Sequence, residues 1–225
     1  MITESTKRII VRVINVFETG TPEGKYDLLV VYPDGKGGSR QITFGRSQTT
    51  EQGNLGDLIM LYIHKGGKYS DELSRFMERL GNEPLADNKE FKDLLIKAAR
   101  EDELMRTAQD EFFDIAYYNP AYRFFEENGF ILPLSMLVIY DSYIHSGNIP
   151  TFLRKRFGEF PPIKGGEEKK WIYSYVDIRH QWLKYNAKPL LQKTIYRTQC
   201  FKDLMAVDNW NLDKLPILAN GVAVT

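Results

Sequence analysis

Phe17–Asn54 reads FETGTPEGKYDLLVVYPDGKGGSRQITFGRSQTTEQGN, and the rest of the chain is organised around it. Glu18 stands at the end of an apolar helical run that Gly20 closes. Asp34 stands in a glycine-rich link between two β-forming runs, 27–32 (DLLVVY) and 40–44 (RQITF), which together predict a hairpin. Two acids are thus carried on two elements of different kind. Facing each other across a groove, such a pair can protonate a leaving oxygen and activate water, the minimum for glycosidic hydrolysis with inversion. The plainer alternative is two solvated acids among 30, because PDG is a turn signal with or without chemistry. The negative end of a helix dipole favours a protonated carboxyl, which suits Glu18 to the donor role.

Nucleotide readings of the same stretch fail. GTPEGKY lacks the P-loop spacing and the Ser or Thr after its lysine, and DGKGG neither follows GxGxxG nor opens a helix. Composition narrows the field further. At 225 residues, 43% hydrophobic and 13% aromatic, the chain suffices for one substantial domain, 1–225, divided into two lobes. Thirty basic residues balance 30 acidic ones, so no nucleic-acid partner is expected. The single cysteine, Cys200, has no disulfide partner and no CxxC neighbour for zinc. The N-terminal apolar run is interrupted by Arg12 and Asn15 and has no small-residue cleavage site, so the reading is cytoplasmic synthesis without a signal peptide. No window nears the apolar length of a membrane span. No membrane insertion, cofactor or metal is expected, and the chain is taken as a monomer.

Outward from the hairpin, the periodicity is helical. Ile9, Ile10, Val13, Val16 and Phe17 predict an amphipathic helix over 4–19, with Thr3 or Ser5 as cap. Helices follow at 55–64 and 70–80, and 88–117 reads as one long helix or two short ones stopped by NP at 119–120. Residues 130–145 form the most apolar helix and should be central and buried. Asp141 is out of place there, and a buried carboxylate demands a cation. Two further helices, 167–185 and 187–205, carry Arg179 and Arg197, either of which could supply it. The loop 157–170 is the one stretch expected to be mobile, and the tail, with Pro216 and an NG turn, should pack back in extended form. His145 follows Asp141 by one helical turn, but no third ligand is spaced to join them in a metal site. A Ser-His-Asp site lacks its GxSxG elbow.

The pieces FETG (17–20), ITFGRSQTT (42–50), GNLGDL (53–58), AQDEFFDIAYYNPA (108–121), YDSYIHSG (140–147), GEEKKWIYSYVDIRHQWL (166–183), YRTQCF (196–201) and NWNLD (209–213) run nearly end to end. In order and spacing they resemble the chitosanases of glycoside hydrolase family 46, in the lysozyme superfamily, and especially their cell-wall-lytic and secretion-effector relatives. The resemblance implies a mainly α (α+β), lysozyme-like, two-lobed fold with a small antiparallel sheet in the N-terminal lobe and a central buried helix. It implies an endo-acting, inverting glycoside hydrolase cleaving β-1,4 bonds in an amino-sugar polymer.

Under that resemblance Glu18 is the general acid, Asp34 the general base, and Thr43 positions the attacking water. Asp141, Arg179 and Arg197 form a buried ionic network reaching Glu18. Asp27, Arg46, Gln48, Thr49 and Asn54 contact substrate; the alternative for Arg46, Gln48 and Thr49 is that they close the turn into the next helix. The link KGGSRQIT is longer than in typical chitosanases, which leaves Asp27 as the substitute base. Tyr26, Phe44, Tyr118 and Tyr122 are candidates to stack on sugars or to be core. Near the motif Asp27, Glu51 and Asp57 are offset by Lys25, Lys36, Arg40 and Arg46, which tips the expected substrate from polycationic chitosan slightly towards the peptidoglycan glycan strand. An enzyme without an export signal would be carried to the cell wall by a phage or a secretion system, as an antibacterial effector. The other readings are a secreted-type chitosanase proper and a catalytically inactive glycan-binding protein.

Overall fold

The computed structural model describes residues 2–46 and 48–225. The chain divides into two compact units, one made of the first 23 residues together with 115–225, the other of the continuous segment 24–114. Helix α1 (Glu4–Thr19) opens the first unit. Thr3 caps it, its Oγ1 accepting the Thr6 amide at 3.2 Å, and Gly20 closes it at φ 79°, donating its amide to the Val16 carbonyl. That left-handed conformation strains a residue with a Cβ, which is why a glycine ends the helix. Ile10, Val13, Ile14 and Phe17 make the buried face.

The segment 24–114 begins with an antiparallel sheet in the order β1 (Leu29–Tyr32), β2 (Gln41–Phe44), β3 (Thr49–Thr50). Leu29 pairs with Phe44 and Tyr32 with Gln41, so the glycine-rich link is the hairpin loop that its composition predicts. Ile42 and Phe44 point to the core, and Gln41 and Thr43 share the opposite face of β2. Helices α2 (Leu55–His64), α3 (Ser70–Ser74), α4 (Lys89–Glu101) and α5 (Glu103–Phe113) complete the unit. The helix expected over 70–80 is regular only to Ser74. Beyond it the amides of Phe76, Met77 and Arg79 bond three residues back, a tighter turn than the α-helix. Of the two readings for 88–117, the chain takes two short helices. Asp102 leaves helical geometry at φ −127° and ψ 116°, and its carboxylate accepts from the Leu104 and Lys68 amides and the Tyr62 hydroxyl. A buried acid with three donors at the start of α5 outweighs one more helical hydrogen bond.

The chain re-enters the first unit within a π-helical turn over Asp114–Tyr118, followed by α6 (Asn119–Glu127). Asn119–Pro120 therefore opens a helix where a stop was expected, because a proline in the first turn lacks only an N–H that the helix does not use. Helix α7 (Pro133–Ser146) is the centre of this unit, buried continuously from Leu134 to Ser142. Around it pack α1, α6, α9 (Glu168–Lys184) and α11 (Ile195–Ala206); the short α8 (Thr151–Arg154) and α10 (Pro189–Gln192) lie against α9. The helix expected over 187–205 is thus split at Lys193 and Thr194. The loop 157–170 is tied down: Arg154 donates to the carbonyls of Phe157 and Glu159, and the Glu159 carboxylate accepts the Glu167 amide. The tail forms a hairpin, β4 (Ile217–Ala219) with β5 (Val222–Val224), packed on α1 and α11. Asn220 and Gly221 both take positive φ, the two-residue turn that matches strand twist. Among the described residues no helix is long and apolar enough to cross a membrane.

Candidate active site

Glu18 belongs to the first unit and Asp34 to the segment 24–114. Glu18 occupies the last turn of α1 with its side chain 11% exposed, the only member of its cluster to reach the surface appreciably. Arg197 of α11 donates from Nη2 to Glu18 Oε1 at 2.6 Å and from Nη1 to Asp141 Oδ1 at 2.8 Å. Arg179 of α9 brings Nη1 to Asp141 Oδ2 at 2.7 Å. The chain of charges, Glu18, Arg197, Asp141, Arg179, alternates in sign and sums to zero. Geometry separates the two arginines. The Arg197 contacts are aligned hydrogen bonds, whereas the Arg179 approach lies off its N–H directions, so Arg179 contributes charge at ion-pair distance.

Burial sets the electrostatics here. It opposes ionisation of Asp141, but the flanking Arg179 and Arg197 guanidiniums outweigh it and hold the carboxyl below the usual carboxylate range. Burial likewise opposes the charge on Arg197, and the Glu18 and Asp141 carboxylates overcome it and push its pKa further up. His145, on the same helix as Asp141, is forced the other way: burial first, then Arg179 and Arg197, lower it to about 3, leaving a neutral imidazole. Asp141 is thus engaged by two guanidiniums.

In the segment 24–114, Asp34 is exposed in the hairpin loop, and its Oδ1 accepts from Gln41 Nε2 at 3.0 Å. Gln41 is itself fixed, its Oε1 accepting the Gln52 amide. Gln41 thus orients Asp34 from the face of β2 that also carries Thr43. Sequence reading missed this glutamine, although the alternation Gln41, Ile42, Thr43, Phe44 places it beside Thr43. Asp27 instead makes a 2.7 Å ion pair with Arg100.

Arg46, Gln48 and Thr49 turn their polar groups towards the protein. Arg46 is buried, its Nη1 pairs with Asp110 Oδ1 at 2.6 Å, and its guanidinium lies over the Phe113 ring. Tyr26 donates to the same Asp110; burial first, then that carboxylate, push the phenol up to about 12. Gln48 donates to the Gly45 carbonyl, Thr49 to that of Phe44, and Asn54 accepts the Thr50 amide. Gly45 sits at φ 77° with Gln109 where a Cβ would stand, and Gln109 accepts the Arg46 amide. Gln48 and Thr49 thus bond within the turn, where Thr49 is wholly buried and Gln48 half-buried. Of the aromatic candidates, Phe44 and Tyr118 are core; Tyr122 stacks on Tyr118 and Phe125 and stays partly exposed, as does Tyr26.

The fold, mainly helical with a small antiparallel sheet, is that of solved chitosanases. The model of glycosyl hydrolase family 46 matches residues 12–217, and the chain belongs to that family. It is a glycoside hydrolase. A chitosanase of Bacillus subtilis (strain 168) is 27% identical, covering 92% of this chain and 79% of its own length. The crystal structure of native chitosanase from Bacillus subtilis MY002 covers 100% of both chains with a TM-score of 0.83 at 22% identity. The complex of the Gynuella sunshinyii chitosanase with chitotetraose gives a TM-score of 0.79 at 23% identity, covering 99% of this chain and 98% of that one.

Proposed function

We propose that the protein is an endo-acting chitosanase that cleaves β-1,4 bonds between glucosamine units with inversion. Glu18 serves as general acid and Asp34 as general base, with Thr43 helping to place the attacking water. The observation that carries this reading is Glu18 itself, a nearly buried carboxylate at a helix end, gripped at 2.6 Å by an arginine that is anchored behind it on Asp141. A side chain so constrained keeps one orientation, which general acid catalysis needs. Asp34 is preferred to Asp27 as base because Asp27 is engaged by Arg100. Chitosan is supported by the relatives, which are chitosanases.

The peptidoglycan strand is the second reading, favoured by Lys25 and Lys36, which are exposed in the same segment as Asp34. Mass spectrometry of digests of chitosan and of purified sacculi separates the two. Glucosamine oligomers with intact sacculi are expected; muropeptides without chitosan oligomers would overturn the substrate. Binding of either polymer with no product would favour the glycan-binding reading.

A further inference from the structure

We propose that Tyr196 is a positioning residue for the acid: with its neighbour Arg197 it clamps the consecutive pair Phe17 and Glu18, fixing where Glu18 presents its proton. This rests on the reading of Glu18 as general acid. The carbonyl of Phe17 is among the last four of α1, which the helix cannot satisfy from its own amides. Tyr196 supplies the donor, its hydroxyl reaching the Phe17 oxygen at 2.9 Å across 179 positions of sequence. Arg197 takes the next residue, donating to Glu18 Oε1, with a longer 3.5 Å contact to the Phe17 oxygen. The rings add a second hold. Phe17 and Tyr196 lie 5.7 Å apart with planes at 59°, Phe201 meets the Phe17 ring at 5.9 Å, and the Arg197 guanidinium covers the same ring at 5.4 Å.

One helix thus grips backbone and side chain of two successive residues at the end of another. Arg197 alone would leave Glu18 free to swing about its own backbone; the Tyr196 hydroxyl pins the peptide from which the side chain projects. Burial raises the phenol, which keeps it a donor throughout the working range of pH.

Tyr196→Phe keeps the ring and removes only the hydroxyl, so the fold should survive, with a melting temperature within a few degrees of wild type. On the polymer the enzyme cleaves, kcat should fall about tenfold with KM nearly unchanged, the size of one hydrogen bond lost from the transition state. The second substrate is a dinitrophenyl glycoside of a glucosamine oligomer, whose leaving group needs no protonation. There Tyr196→Phe should be within about twofold of wild type, and Glu18→Gln should likewise be far less impaired than on polymer. If Tyr196→Phe matches wild type on polymer, or loses equally on both substrates while Glu18→Gln shows the acid's pattern, the clamp is refuted and the acid stands. If Glu18→Gln itself loses equally on both, the assignment of the acid falls and the clamp falls with it.

Discussion

Asp141 and Arg179 meet at 2.7 Å with neither side chain exposed to solvent at all. An ion pair so placed adds little net stability over an apolar pair of the same shape, but removing one member strands the other in a low-dielectric interior. Arg179→Ala should therefore destabilise the protein by about 3–5 kcal/mol. Thermal or urea melting checks this, and an unchanged midpoint would contradict the buried network.

His145 makes stability depend on acid. Its folded pKa, about 3, lies below the ordinary histidine value of about 6.5, so between these limits the unfolded chain binds a proton that the folded protein refuses. Stability should fall as pH drops through that window, by at most about 1.4 kcal/mol per unit from this group. His145→Gln should flatten the slope measured by melting between roughly pH 6 and 4. A slope identical to wild type would show that the imidazole is not the group responsible.

Kinetics distinguish the acids. Glu18→Gln and Asp34→Asn should each lower kcat by about a hundredfold or more with the fold retained, as removal of a general acid or base does. Asp27→Asn, which breaks only a partly exposed pair with Arg100, should stay within a few-fold of wild type. The reverse ranking of Asp27 and Asp34 would reassign the base.

Inversion has a direct signature. NMR of the first products from a β-linked polymer should reveal the α anomer before mutarotation, since water attacks from the face opposite the leaving group. An initial β anomer would indicate a covalent intermediate.

Glu51 is a stability element that sequence inspection counted merely as a nearby acid. It is buried, and its two oxygens accept the Ile42 and Leu85 amides at 3.0 and 2.5 Å, pinning β2 to the 80s segment. Glu51→Gln turns an amide N–H₂ towards one of those donors and should cost about 1–3 kcal/mol. Melting of the variant is the check, and a neutral result would mean the carboxylate is dispensable there.

The helices and the hairpin were legible because their signals are local. Apolar spacing marks α1, the β-rich runs flank a glycine-rich link, and the unbroken apolar run of α7 made Asp141 conspicuous enough to demand a cation, which Arg179 and Arg197 supply. What was illegible depended on contacts distant in sequence. Nothing near Asp102 announces that Tyr62 and the Lys68 amide will draw its carboxylate out of the helix, and nothing near Arg46 announces Asp110. Polar residues clustered beside a presumed base looked like substrate contacts, yet Thr49 and Gln48 bond to carbonyls a few residues away, a competition between local backbone and ligand that composition cannot resolve. Gln41 and Tyr196 escaped notice for the opposite reason, being ordinary polar residues whose meaning comes from a single acceptor each.

The first unit is assembled from both ends of the chain, with 24–114 intervening, and this governs when the protein can become active as it is made. Tyr196 and Arg197, which hold Phe17 and Glu18 respectively, are each made 179 positions after the residue they grip. The continuous segment 24–114 can settle as soon as it is complete, whereas α1 must wait for α7, α9 and α11. A nascent chain stalled before α11 therefore carries every residue proposed for acid and base chemistry but lacks the arginine and tyrosine that would aim the acid, so activity should wait until α11 has been made.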